Sequence, residues 1–149
     1  MSHWADRISE RKLSQKADEH IELERHSIAV AETPRIESLL RKDMERSVNL
    51  FSQSIGGVEG PSTTLDGYTK YRTLKWPLAA VEFCFDAARI VFRKYYRASL
   101  AGDPNTSTEI IRIRGEFNGE PWFDYNGDRL NTIEEVSELL LLPLFDSVK

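Results

Sequence analysis

Helical periodicity is clearest at the two ends of this sequence, while residues 68 to 125 repeatedly alternate apolar with polar side chains at a period of two. That segregation is the strongest constraint on the fold. No strand–helix–strand succession calls for parallel pairing, and the short turns between alternating runs make neighbouring strands antiparallel. The chain therefore reads as α+β, with two N-terminal helices, an antiparallel sheet of about five strands in meander order, and a C-terminal helix. Its 149 residues, 40% of them hydrophobic, fit a single domain over residues 1 to 149.

The first helix is placed over residues 10 to 31, where Leu13, Ala17, Ile21 and Ile28 make a narrow stripe and Asp18, Glu19 and Glu22 lie away from it. Trp4 and Ile8 point elsewhere on the wheel, so residues 1 to 9 are expected to form a flexible arm or to meet another chain. Thr33 and Pro34 read as the start of a second helix, Thr as its cap and Pro in its first turn. Ile36, Leu39, Leu40, Met44, Val48, Phe51 and Ile55 give that helix a broad apolar face, and Gly56 with Gly57 ends it. Residues 56 to 66, rich in Gly, Pro, Ser and Thr, read as a linker from helix to sheet.

Residues 68 to 75 have the composition of a first strand. The stretch from residue 78 to 98 has two solutions, a hairpin over residues 81 to 96 or a helix, because Val81, Cys84, Phe85, Ala88, Val91, Phe92 and Tyr95 would also make a helical stripe. A hairpin is preferred. Val81, Phe83 and Phe85 alternate with Glu82, Cys84 and Asp86, residues 90 to 92 are β-rich, and Asp86 suits the start of a type I turn. After a loop over residues 102 to 107, Ile111, Ile113 and Phe117 alternate with Arg112, Arg114 and Glu116. Asn118 and Gly119 favour a tight turn into a returning strand at residues 122 to 125, and Thr132 with Glu135 forms a capping box that opens the last helix.

Composition narrows the setting. The lone cysteine, Cys84, excludes an internal disulfide, which points to a reducing compartment and a cytoplasmic protein. The first residues are charged, and the longest apolar run, residues 139 to 142, is far below the ~20 residues that span a bilayer. The net charge of −4 is uneven. Residues 58 to 100 carry 7 Lys and Arg against 4 Asp and Glu, and residues 101 to 149 carry 4 against 10. Overall acidity opposes general nucleic-acid binding, whose affinity comes largely from neutralising phosphates.

No catalytic set assembles from the sequence. All three histidines fall within the first 26 residues, and no serine sits in a nucleophile elbow. Cys84, flanked by Phe83 and Phe85, reads as structural. Gly56, Gly57 and Gly60 lack the Lys-Ser/Thr ending of a phosphate loop. His20, Glu22, Glu24 and His26 pair at a spacing of four but on different helix faces, as on a solvated charged helix rather than at a metal site. Residues 124 to 135 partly resemble an EF-hand calcium loop, with oxygen side chains at alternate positions and Glu135 in twelfth place. However, Arg129 stands where the turn needs glycine, Asn131 stands where an apolar residue anchors the loop, and the preceding segment reads as strand. A turn at Asn126 and Gly127 with a capping Glu135 is expected instead, and no metal or cofactor.

The most informative pattern is on the sheet. Arg89, Arg93, Tyr95 and Arg97 share one parity of their strand, and Arg112 and Arg114 share one on the next, so each set lies on a single face. Five guanidinium groups and a phenol ring facing away from the helices would bind an anionic ligand or stack bases of a single strand. The same arginines can instead pair across strands with Glu82, Asp86 and Glu116.

Two functional classes remain. The favoured one is a non-enzymatic interaction or scaffold domain that self-associates or binds a protein partner; the alternative is an anion or single-strand binding module on the arginine face. A homodimer is expected, because residues 139 to 142 with Leu144 and Phe145 hold more apolar surface than one helix face buries.

Overall fold

A computed structural model of the chain describes residues 3–97 and 105–149 and has the expected α+β order. Helix α1 (Trp4–Ser54) is followed by strands β1 (Val58–Thr63), β2 (Thr69–Thr73), β3 (Leu78–Asp86), β4 (Arg89–Arg97), β5 (Asn105–Arg114), β6 (Trp122–Tyr125) and β7 (Asp128–Leu130), and by helix α2 (Ile133–Asp146). The strands form one antiparallel sheet in which each pairs with the next in sequence. Ile36, Leu40 and Met44 of α1 and Val136, Leu140 and Leu144 of α2 cover one sheet face, against Phe83, Phe92, Ile111 and Phe123. Each large side chain buried there contributes about 1.5–3 kcal/mol.

The two helices expected at the N-terminus are one. α1 runs for 51 residues straight through Pro34, about 76 Å at the helical rise. Thr33 does not cap a new helix. Its hydroxyl donates to the Ala29 carbonyl one turn back (2.8 Å) and to the Ala87 carbonyl between β3 and β4 (3.2 Å). Pro34 removes one helical N–H, a local loss of roughly 3 kcal/mol that packing on both sides of it outweighs. Ala29 and Ile36, on either side of the proline, are each 1% exposed. Beyond them the end of β5 closes on the helix at Gly115, where an added Cβ would lie 2.4 Å from the Arg25 carbonyl oxygen and 2.9 Å from the Ala29 nitrogen. Helical structure begins at Trp4, inside the stretch expected to be a flexible arm.

Among the described residues the sheet has seven strands rather than five. One of the two unforeseen strands, β1, lies in the supposed linker at an edge of the sheet, where Pro61 needs no ladder N–H and the register slips between Glu59 and Ser62. The other, β7, follows a tight turn at Asn126 (φ 53°) and Gly127 (φ 89°), the paired positive φ values that only such residues accept readily. That turn, with Glu135 capping α2, is the arrangement expected of residues 124 to 135: Thr132 Oγ1 accepts from Glu135 N (3.1 Å), and Glu135 Oε2 accepts from Asn131 N (3.3 Å).

The ambiguous segment is a hairpin, with β3 and β4 in register from Leu78 opposite Arg97 to Asp86 opposite Arg89. Its turn is not type I, because Ala87 has φ of 51° where that turn requires a negative value. Asn118 and Gly119 do not join the strands in a tight hairpin turn either. β5 stops at Arg114 and β6 starts at Trp122, and this wider connection is tied by Trp122 Nε1 donating to Glu116 (2.8 Å). Residues 105–107 of the supposed loop belong to β5, and residues 102–104 lie outside the described residues. The apolar tail is mostly internal: Leu140, Leu141 and Leu144 are buried, and Leu142 alone of the four consecutive leucines is exposed.

Gly115→Ala is expected to lower the urea midpoint by about 1–3 kcal/mol in stability with an unchanged m value, since backbone on both sides leaves no room for a methyl group. An unaltered midpoint would show that α1 is free to shift away from β5.

Candidate functional site

The sheet face turned away from the helices carries all six residues singled out from the sequence. Arg89, Arg93, Tyr95 and Arg97 alternate along β4, and Arg112 and Arg114 occupy the same side of β5, with Arg89 directly opposite Arg112. The parity argument thus puts them together, but most are already engaged.

Arg93 is the hub. Its guanidinium stacks over the Tyr68 ring, 3.6 Å from the centroid, and forks onto both oxygens of Asp66 at 2.8 and 3.2 Å while Nη2 also reaches Glu82 at 2.8 Å. Asp66 lies in the loop between β1 and β2, brought 27 residues back along the chain by the meander. The Arg93 hydrogen bond, helped by the Thr64 hydroxyl, holds the Asp66 carboxyl at about 2, below its ordinary 3.8. The neighbouring Cys84 thiol keeps the Tyr68 phenol above its usual range, and Cys84 sits half-buried on this open face rather than in the core.

The other arginines follow suit. Arg89 pairs with Asp86, Arg114 lies 3.5 Å from Asp124, and Arg97 is also held by an interaction. Of the cross-strand acids anticipated, Glu82 and Asp86 take part, while Glu116 accepts from Trp122 instead. Arg112 is exposed and makes no ion pair among the described residues. Tyr95, half-buried, lines a shallow depression of about 430 Å³ with Lys70, Glu82, Arg93 and Thr108.

A second feature was only half visible in the sequence. Every residue from 6 to 24 of α1 is exposed, so more than five turns of helix project beyond the last point of docking, at Arg25 and Gly115. Trp4 (62% exposed), Leu13 (67%) and Leu23 (65%) stand on this arm. His20 and Glu24 pair at 2.7 Å on its solvated surface, as the charge pattern foretold. Where α1 runs beside α2, a groove of about 340 Å³ opens between Leu50 on one helix and Leu141, Leu142 and Phe145 on the other. Its residues come from opposite ends of the chain, so no local pattern announces it.

Among the described residues no group of three or more His, Cys, Asp or Glu side chains is arranged to hold a metal ion, and no helix is long and apolar enough to cross a membrane. Comparison with protein-family models, curated protein sequences and solved structures finds no match to this chain.

Two measurements separate structural arginines from available ones. Arg93→Glu is expected to lower stability well beyond the ~0.5 kcal/mol of an ordinary surface change, because it sets a third carboxylate against Asp66 and Glu82, whereas Arg112→Glu stays within it. Equal melting curves for the two variants would refute the hub. For pH, the depressed Asp66 carboxyl contributes stability that is complete above 3.8 and is lost as pH falls toward about 2. The melting difference between wild type and Asp66→Asn should accordingly be constant above that window and close within it.

Proposed function

We propose that this protein acts by association rather than catalysis: it is an interaction module whose projecting helix is the contacting element, and its partner is a second copy of the same chain. The single observation that carries this reading is the exposed run of α1 from residue 6 to residue 24, continuous with a helix that is clamped to the sheet. Helices in proteins draw most of their stability from packing an apolar face, and this one packs nothing over those turns. It nevertheless carries Trp4, Ile8, Leu13, Ile21 and Leu23, all exposed. Large apolar side chains on a rigid projection favour burial against another surface. The clamp at Gly115 fixes the arm's direction, so little ordering entropy opposes docking.

The arginine face supports the alternative, an anion-binding module, more weakly. Arg112 lies between Arg89 on β4 and Asp124 on β6 and makes no ion pair among the described residues, which leaves one cation available for a phosphate or carboxylate. Binding there by Arg93 would first have to displace Asp66 and Glu82.

Light scattering should give twice the 17.1 kDa chain mass, with amide exchange across residues 6–24 slowing as concentration rises. A monomer mass sustained through high micromolar concentrations, with concentration-independent exchange in the arm, would overturn self-association.

A further inference from the structure

The geometry points to an antiparallel pairing of two projecting arms, in which each copy lays the back of α1, the side turned away from the sheet, against the same side of the other. This rests on the self-association proposed above and names the face, the direction and the register of the contact.

The face is set by where the sheet is not. Ser9, Leu13, Lys16, His20, Leu23 and Ser27 follow one another at alternating intervals of four and three, and at 3.6 residues per turn they form one stripe about 80° wide. Arg25, Ala29 and Ile36, by which α1 meets Gly115 and the core, point about 160–180° away from the middle of that stripe. All six stripe residues are exposed, and so are Val30 and Ala31, which carry the same side of the helix past the clamp. Docking on the sheet therefore leaves this side of α1 open along its whole length from the arm to Ala31. Leu13 and Leu23, the two most exposed of the large apolar side chains on the arm, both lie on it.

Charge sets the direction. Residues 7 to 16 carry Arg7, Arg11, Lys12 and Lys16 against Glu10 alone, whereas residues 17 to 24 carry Asp18, Glu19, Glu22 and Glu24 with no Lys or Arg. Parallel arms would set each sign beside itself, which is costly; antiparallel arms bring the basic half of one copy alongside the acidic half of the other. The leucines then set the register. With Leu13 against Leu23 of the other copy, Ser9 comes level with the small Ser27, and Lys16 comes level with His20 and within reach of Glu19. The paired numbers sum to 36, so a twofold axis passes level with residue 18 and every contact occurs twice. Two leucine pairs enclose two Lys16–Glu19 pairs, and the assembly closes as a dimer.

The test uses the full chain. Wild-type mass by light scattering comes first, and a monomer would remove the self-association reading together with this one. Given a dimer, Leu13→Glu and Leu23→Glu should each raise its dissociation constant at least roughly thirtyfold, as expected for central apolar anchors, while Trp4→Glu on the opposite side of the arm leaves it within about threefold. Both leucines are exposed and meet no core residue, and melting curves check that their variants keep the fold. Lys16→Glu and Glu19→Lys should each weaken association, and their combination in one chain should restore it. With Cys84 replaced by serine, a mixture of Leu13→Cys and Leu23→Cys chains should oxidise to a mixed covalent dimer. Leu13→Cys alone should not, because its two copies lie about 15 Å apart along antiparallel arms. A dimer indifferent to Leu13, Leu23 and the Lys16–Glu19 swap, or one in which Leu13→Cys alone cross-links, would overturn antiparallel arm pairing while leaving self-association standing.

Discussion

The backbone contact between the end of β5 and α1 governs this structure. At Gly115 the strand passes so close to the helix that no side chain fits between them, and it does so against Arg25 and Ala29, midway along a 51-residue helix. One half of α1 is thereby committed to the sheet, where Ile36, Leu40, Met44 and Val48 are buried, and the other half is left without support. The contact lies just before Pro34, so the helix is anchored on both sides of its weakest residue. Thr33, hydrogen-bonded to the turn between β3 and β4, adds a third attachment at the same level.

The two sheet faces are organised by different forces. The helix side is an apolar layer bordered by the Lys94–Glu109–Tyr125 and Arg41–Thr69 contacts. The opposite side is an ionic network in which Arg93 draws in a loop acid, a strand acid and an aromatic ring. With Arg93 about one-third exposed, such a network contributes modestly to stability but fixes geometry, since each fork and stack accepts one orientation. It holds the loop between β1 and β2 down on the sheet and leaves the face with little spare charge. At the other end of the sheet, Tyr125 donates to Glu109, and burial with that carboxylate pushes the phenol up to about 12.

What was legible in the sequence was whatever depends on near neighbours. Period-two alternation placed five strands and put Arg89, Arg93, Tyr95, Arg97, Arg112 and Arg114 on one face, and the Thr132–Glu135 box marked the start of α2. What was not legible depends on residues far apart. Thr33-Pro34 has the local chemistry of a helix start, and only the sheet beneath it overrules that. Gly60 and Pro61 disguise β1, which is held to β2 by ladder pairing and not by its own propensity. Asp66 could not be assigned to Arg93 without the meander that folds it back, and the tail leucines looked surplus because the core that takes them is built from α1 and the sheet.

The sheet's edges decide which kinds of assembly are open to this chain. One ends in a strand interrupted by Pro61 and a register slip, with Glu59 paired to Arg72 beside it, and the other in the three residues of β7. Neither offers the long, flat row of free amides that recruits another strand, so successive copies cannot add to the sheet and polymerise along it. Growth by strand addition is discouraged at both ends, and the helical layer is where copies can meet without starting a fibre.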